Sequence, residues 1–128
     1  MKEKINDMIL DWDVDQHLRI CADGVLWETI PEQAYMEHDT EGRIYLKDAL
    51  HKTLRKIDTG FSKGMLMELS DFRQSEIALA LSVSVDITSN EVYCSLSTIK
   101  EDHQIHKINW PAPFTFEEKK DTYYTLLT

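Results

Sequence analysis

The sequence predicts an α+β fold in which helices pack on one face of an antiparallel sheet. Apolar residues alternate with small or polar residues over 77–87 and again over 92–99, which indicates a central antiparallel hairpin. Apolar residues over 2–9 and 43–58 instead recur at helical spacing, which indicates helices that cover one side of the sheet. The chain has the length of one ordinary domain, so we assign 1–128 to a single α+β domain whose strands form a meander.

The first part of the chain is expected to form a helix followed by a hairpin. Apolar residues at helical spacing support the helix over 2–9. Asp23 and Gly24 then separate two apolar segments, and this dipeptide adopts the positive φ angles that tight hairpin turns require. We therefore predict strands near 17–21 and 25–29.

Two further helices are expected before the central hairpin. Thr29 and Glu32 have the spacing of a capping box, so we predict a short helix over 31–37. The helix over 43–58 is expected to end before Gly60, because glycine favours the left-handed conformation that terminates helices.

The register of the central hairpin follows from a four-residue loop at 88–91. This loop would pair Ile87 with Val92 and, further along, Val83 with Leu96. Apolar residues then meet on one face throughout, so we expect that face to be buried and the other to be wet or lightly covered.

The last part of the chain is expected to complete the meander. A third strand is predicted at 104–110. Segments 114–116 and 122–127, separated by a charged turn, are predicted to form a final hairpin.

Charge is unevenly spread along this acidic chain, whose net charge is −9. Residues 1–41 contain 11 acidic and 3 basic residues, net −8, whereas residues 42–64 contain 2 acidic and 6 basic residues, net +4. An acidic surface repels phosphate backbones and attracts basic proteins. We therefore expect no general nucleic-acid binding, and a partner protein that is basic.

Compartment is inferred from apolar runs and cysteines. No segment approaches the ~18 apolar residues of a spanning helix, and the N-terminus has no apolar leader, so we expect neither membrane association nor secretion. Cys21 and Cys94 lie in apolar, strand-like surroundings and are interpreted as small core residues. A cytoplasmic protein is the resulting expectation.

The three alternating carboxylates Asp11, Asp13 and Asp15 are the strongest candidates for chemistry. On one strand face they could hold a hard cation such as Ca²⁺ or Mg²⁺. An EF-hand loop that begins at Asp11 would need glycine and glutamate where the chain has Gln16 and Ala22. The preferred interpretation is therefore a solvated acidic strand edge without metal.

Other motifs for catalysis or cofactor binding are absent from the sequence. His103 and His106 flank a turn and enter a strand, so their spacing does not suit zinc. His17 and His51 are isolated, and the sequence has no phosphate-binding loop, dinucleotide-binding fingerprint or nucleophile elbow. We predict no catalytic residue, no metal ligand and no cofactor.

The function predicted from the sequence is that of a small acidic cytoplasmic module that binds and neutralises a partner protein. Immunity proteins, antitoxins and phage inhibitors form that class, whose members are often acidic and need no catalytic motif. Two alternatives stay open: a metal-dependent hydrolase or phosphatase-like enzyme that uses the three aspartates, and a subunit of a larger assembly that pairs through strand 77–87 or 122–127. The residues predicted to bind the partner combine carboxylates with aromatic anchors. They are Asp11, Trp12, Asp13, Asp15, Glu28, Glu32, Tyr35 and Glu37.

Overall fold

The structure is a computed structural model that describes residues 1–111 and the backbone of 114–117 and 126–127. Nearly every element in these ranges is a β-strand, apart from two short 3-10 helices, Pro31–Gln33 and Leu46–Asp48. The strands in these ranges are β1 (Lys2–Ile5), β2 (Met8–Trp12), β3 (Leu18–Ala22), β4 (Val25–Thr29), β5 (Tyr35–His38), β6 (Gly42–Tyr45), β7 (His51–Asp58), β8 (Ser62–Ser70), β9 (Ala78–Asp86), β10 (Val92–Lys100), β11 (Ile105–Asn109), β12 (Phe114–Glu117) and β13 (Leu126–Leu127).

The first sheet has the strand order β1-β2-β3-β4-β12, and its neighbouring strands are antiparallel. Asn6, Asp23 and Gly24 have positive φ angles, which allow the tight turns after β1 and β3. Leu10 and Ile20 are cross-strand partners and are both fully buried on the inner face. The hairpin predicted around Asp23 and Gly24 is therefore confirmed as β3 and β4.

The second sheet has the order β13-β10-β9-β8-β7 and is antiparallel except for the pairing of β13 with β10. Its central strand, β9, alternates fully buried apolar side chains with small or polar ones, because successive residues face opposite sides. The buried side chains of this strand belong to the same apolar core as those of the first sheet.

The third sheet is small and has the order β11-β5-β6. Met36 pairs with Ile44 on one side and Ile108 on the other, and these three apolar residues belong to or pack against the core. Tyr35 and Glu37, which alternate with Met36, lie on the opposite face of the sheet.

The predicted α+β class is wrong, because three sheets and no helix longer than a single 3-10 turn make up the described ranges. Residues 2–9 fall in the hairpin of β1 and β2. Ile5 and Met8 are cross-strand neighbours, so the tight turn between them reproduces the three-residue spacing of a helical stripe. Ile9, which a helix would bury, is 42% exposed.

Within the described residues, no helix is long and apolar enough to span a bilayer.

The other two predicted helices are also wrong. Residues 43–58 contain most of β6, a 3-10 turn and β7, so that Leu46 is buried by the turn while Leu50 is 58% exposed. Eight successive residue pairs join β7 to β8, and this tertiary pairing overrides helix propensity. Only the start of the helix predicted at 31–37 exists, as a 3-10 turn, because β5 begins at Tyr35.

The central hairpin is present as β9 and β10, but its register differs from the prediction by two residues. Val83 faces Cys94, and Leu96 faces Leu81, so the predicted pair of Val83 with Leu96 is wrong. The connection is longer than four residues because the Asp86 carboxylate accepts two hydrogen bonds from backbone N–H groups of the turn. Since the shift is even, each side chain keeps its predicted face.

The meander ends at β10. The strand predicted at 104–110 exists as β11, but it pairs with β5. β12 and β13, which lie within the predicted last hairpin, pair with β4 and β10 instead of each other, and residues 122–125 of that hairpin lie outside the described residues. Strand 77–87, one of the two suggested for pairing between subunits, has β8 and β10 on its two sides and therefore offers no free edge.

Candidate functional site

The three aspartates do not share a strand face, because β2 ends before Asp13. The Asp13 carboxylate caps the following turn by accepting backbone hydrogen bonds from Asp15 at 2.9 Å and His17 at 3.3 Å. Asp15 lies 3.4 Å from the Nζ atom of Lys52, and Asp11 lies 3.9 Å from the amino group of the first residue. Among the described residues, no group of three or more His, Cys, Asp or Glu side chains could hold a metal ion. The hydrolase alternative therefore finds no ligand set at these aspartates.

The two predicted aromatic anchors are buried. Trp12 is 1% exposed, and its ring stacks on Trp110 with the ring centroids 6.1 Å apart. Tyr35 is 8% exposed, and the guanidinium of Arg43 lies 3.8 Å from its ring centroid in a cation–π contact. Both rings therefore make internal contacts that an anchor for a partner would have to give up.

Glu28 lies in a charged group on the first sheet. Its carboxylate contacts the imidazole of His17, and it accepts a 3.1 Å hydrogen bond from Nε of Arg19. The hydrogen bond to His17, and then that from Arg19, hold the pKa of Glu28 below its ordinary value. His17 is therefore not isolated, and the sequence signal that could have placed it is its position two residues before Arg19, which lies opposite Glu28 in the hairpin.

The remaining predicted carboxylates lie elsewhere, near the third sheet. Glu32 is 3.7 Å from the Nζ atom of Lys47, and Glu37 is 3.4 Å from Nε2 of His106. The eight predicted residues thus occupy two regions, and each carboxylate has a cationic or backbone N–H partner. Their role in binding a partner stays a prediction.

The side chains that do converge surround Asp102, on the wall of a cavity of about 720 Å³. Ser75 Oγ donates a 2.5 Å hydrogen bond to Asp102, and the backbone N–H of Gln104 donates another at 2.9 Å. Nε2 of His38 lies 3.6 Å from the same carboxylate. The sequence gives no signal for this cluster, because its residues come from three distant segments and form no motif.

The geometry of the cluster is that of a structural clamp. His38 Nδ1 accepts backbone hydrogen bonds from Thr40 at 3.2 Å and Glu41 at 3.1 Å, so the ring proton belongs on Nε2, which faces Asp102. A Ser-His-Asp triad requires histidine to accept the serine proton, whereas here Ser75 and His38 both point to the carboxylate. The hydrogen bond from Ser75, followed by that of a backbone N–H, holds the pKa of Asp102 below its ordinary value. The cluster therefore links the end of β5 to two turns, and His38 is not placed to accept a proton from Ser75.

The cysteines and paired histidines also lack the geometry of a reactive site. Burial raises the pKa of Cys94 to about 12, so its thiol stays protonated and is a poor nucleophile. Cys21 is half-buried, and both cysteines are unpaired. The ring nitrogens of His106 lie 3.4 Å from the carboxylate of Glu37 and 2.9 Å from that of Asp39.

Three hydrogen-bonded turns with an exposed aromatic side chain form a surface feature for which the sequence gives no signal. Phe61, in the turn between β7 and β8, is 81% exposed, and its carbonyl oxygen accepts a 3.0 Å hydrogen bond from the backbone N–H of Ile87. Asn6 donates to the carbonyl oxygen of Ile87 at 2.9 Å and to the side chain of Asn90 at 2.7 Å. We name these three joined turns the turn cluster; it consists of residues 6–7, 59–61 and 87–91. Phe61 and Ile87, the latter 36% exposed, are the large apolar side chains that the turn cluster leaves accessible.

Comparison with known proteins identifies the fold. No protein-family model matches the chain, and no curated protein matches it. Solved structures of the alpha-N-acetylgalactosaminidase NagBb from Bifidobacterium bifidum do match. In its complex with GalNAc, the TM-score is 0.80 at 20% identity, covering 90% of this chain and 19% of that chain. In the ligand-free enzyme, the TM-score is 0.77 at 19% identity, covering 90% and 18%. This chain therefore shares its fold with about a fifth of that enzyme.

These comparisons give no support to the function class predicted from the sequence, which stays a prediction. The shared all-β fold is that of part of a glycosidase, and nothing in the comparisons supports an inhibitor, an immunity protein or an antitoxin. That prediction rests on small size, acidic composition and the absence of catalytic motifs, and all three are compatible with many folds.

Proposed function

We propose that this chain is a non-catalytic β-domain that binds another protein or protein domain. Its role would resemble that of an accessory domain that packs against a catalytic domain. The observation that carries the proposal is the coverage of the fold match. The fold fills 90% of this chain but only 19% of the alpha-N-acetylgalactosaminidase, so in that enzyme it is one part of a longer chain. Identity of 20% supports no transfer of the enzyme's activity.

The arrangement of polar groups in the described residues supports a role without catalysis. The cluster around Asp102 has its serine and histidine directed to the carboxylate, and the aspartates of the N-terminal third are separated. The turn cluster supports a binding role, because Phe61 lies exposed on turns that are tied to each other by hydrogen bonds. Fixed turns lower the entropy that must be lost when a partner is bound.

Site-specific photo-crosslinking tests the proposal. We would replace Phe61 with benzoylphenylalanine, which keeps an aromatic ring at that position, and irradiate the cells that produce the protein. A discrete crosslinked protein is expected from Phe61 and not from the same replacement at Ile99, an exposed residue at the far end of β10. The isolated partner should then bind the purified chain, and more weakly after Phe61→Ser.

Hydrolysis of aryl glycosides by the purified chain would overturn the proposal, and so would the same set of crosslinked products from both positions. A cytoplasmic compartment is part of the proposal, and it is supported by the two unpaired thiols. Cell fractionation tests it, since recovery of the protein outside the cytoplasm would remove that part alone.

A further inference from the structure

Strand β7 is an edge of the five-stranded sheet. It pairs with β8 through eight consecutive residue pairs from His51 to Asp58, and no other described strand pairs with it. In an antiparallel edge strand, alternate backbone N–H and C=O groups point away from the neighbouring strand. The outer side of β7 is therefore a template on which a further strand could form.

Two of the usual obstacles to strand addition, proline and β-bulges, are absent from β7, and its charged side chains limit which strand can be added. It contains no proline, its register with β8 shows no bulge, and it is eight residues long. At the other side of the same sheet, β13 pairs with the outer side of β10, and in the first sheet β12 pairs with that of β4. β7 remains as a regular edge that no described strand covers.

Cations extend along both faces of this edge. Arg55 and Lys56 are exposed, point to opposite faces of the sheet, and form no ion pair with a described residue. Lys52 adds a third cation, although its Nζ atom lies 3.4 Å from Asp15. An acidic segment added to β7 would find opposite charges on both faces, at Arg55 on one and at Lys52 and Lys56 on the other, whereas the carboxylate of Asp58 lies at the end of the strand.

We propose that β7 docks an extended acidic segment of a partner protein, which joins the sheet as an additional strand. The inference rests on the proposed function, because it specifies the kind of partner that the domain binds. Main-chain hydrogen bonds to β7 would supply affinity. Arg55 and Lys56 would select for acidic sequences, because two adjacent carboxylates of the segment would face opposite sides of the sheet and each would meet one of these cations.

Fluorescence anisotropy with the purified chain tests the proposal. The probe is a labelled peptide of about nine residues, long enough to span the edge, built from valine and threonine with two adjacent glutamates at its centre. We expect saturable binding that weakens about tenfold or more in the double variant Arg55→Glu, Lys56→Glu, because both charge pairs become repulsive. The matched control is Lys2→Glu, Lys4→Glu, which makes the same charge change on β1, the edge strand of the first sheet.

Backbone methylation of the peptide tests strand addition itself. Two versions, methylated at odd or at even residues, keep the same charges, and one of them should lose binding because its N–H groups would face β7. Hydrogen exchange should slow at alternate amides of residues 51–58 when the peptide is bound.

Three results would overturn the proposal: no binding of the acidic probe, equal weakening by the two double variants, or equal binding of both methylated peptides. None of these contradicts the proposed function, which is tested by crosslinking at Phe61. Conversely, if crosslinking at Phe61 failed but the peptide bound to β7, the edge strand would stand as a docking site and the turn cluster would not.

Discussion

Gly64 lies where β8 and β9 come closest, and replacing it with alanine should destabilise the protein strongly. A Cβ atom built on Gly64 would lie 2.0 Å from the carbonyl oxygen of Val83 and 2.6 Å from the Cα atom of Ser84. Both neighbours are backbone atoms of the central strand, so no side-chain rotation can relieve the overlap. The gap between the added carbon and the Val83 oxygen must therefore widen by about 1.4 Å before it reaches an ordinary contact distance of about 3.4 Å.

The expected cost combines overpacking with weaker strand pairing. Overpacking of a well-packed region costs roughly 1–3 kcal/mol. Separating the strands would also weaken about two ladder hydrogen bonds, each worth about 1 kcal/mol. The reduced freedom of alanine in the unfolded chain returns about 0.4–1 kcal/mol. We therefore expect Gly64→Ala to lower the free energy of unfolding by about 2–4 kcal/mol.

Urea denaturation followed by tryptophan fluorescence measures this change. Ser84→Ala is the matched control, because Ser84 pairs with Gly64 across the same two strands and the substitution adds no atom at the close contact. The control should change the free energy of unfolding by less than about 0.5 kcal/mol. If Gly64→Ala came within that same margin of the unmodified protein, the close approach of β8 and β9 would be refuted.

Three other predictions follow from single contacts. Thr29→Val removes a buried hydroxyl that accepts a backbone hydrogen bond and donates another, so it should cost about 2–4 kcal/mol in urea denaturation, whereas Thr53→Val on exposed β7 should cost under about 0.5 kcal/mol. At mildly alkaline pH, Cys94 should react with a thiol reagent only after unfolding and Cys21 should react sooner; rapid modification of Cys94, found by peptide mapping, would contradict its burial and its pKa of about 12. Folding lowers the pKa of Glu28, so the ionised Glu28 side chain stabilises the fold above the ordinary glutamate pKa, and this stabilisation is lost as the pH falls through the lower pKa of the folded state. Glu28→Gln should therefore flatten the fall in the free energy of unfolding over that acidic range. An unchanged pH profile would count against the interaction.

Sequence patterns located strands correctly where pairing is local. The alternation over 77–87 fits only a strand, and the turn residues Asp23 and Gly24 identify the hairpin of β3 and β4. Patterns failed where a turn interrupts them, as between Ile5 and Met8, whose cross-strand contact has the same spacing as a helical contact. Periodicity cannot separate these cases, because both bring residues three positions apart onto one side.

The site was less predictable than the fold because its contacts join distant segments. Ser75 and Asp102 are 27 positions apart and share no sequence motif with His38, although Ser75 and His38 both contact the carboxylate of Asp102. Phe61 gave no signal either, since exposure of a turn residue depends on the neighbouring turns. Such placements follow from the pairing of β5 with β11 and from the hydrogen bond between the turns of Phe61 and Ile87, which join segments far apart in the sequence.

Pairing between distant segments also decides which charges a partner meets. Residues 1–41 have net charge −8, but Asp15 of that segment contacts Lys52 of the basic segment, and Glu28 is held by its own cationic neighbours. Arg55 and Lys56 remain without ion pairs in the described part of the chain and lie side by side on an edge strand. The net charge of −9 would attract a basic protein over long distances, whereas the proposed docking at the edge would select an acidic segment at contact. Salt distinguishes the two, because long-range attraction between whole proteins is screened at moderate ionic strength, and pairing supported by main-chain hydrogen bonds is screened less.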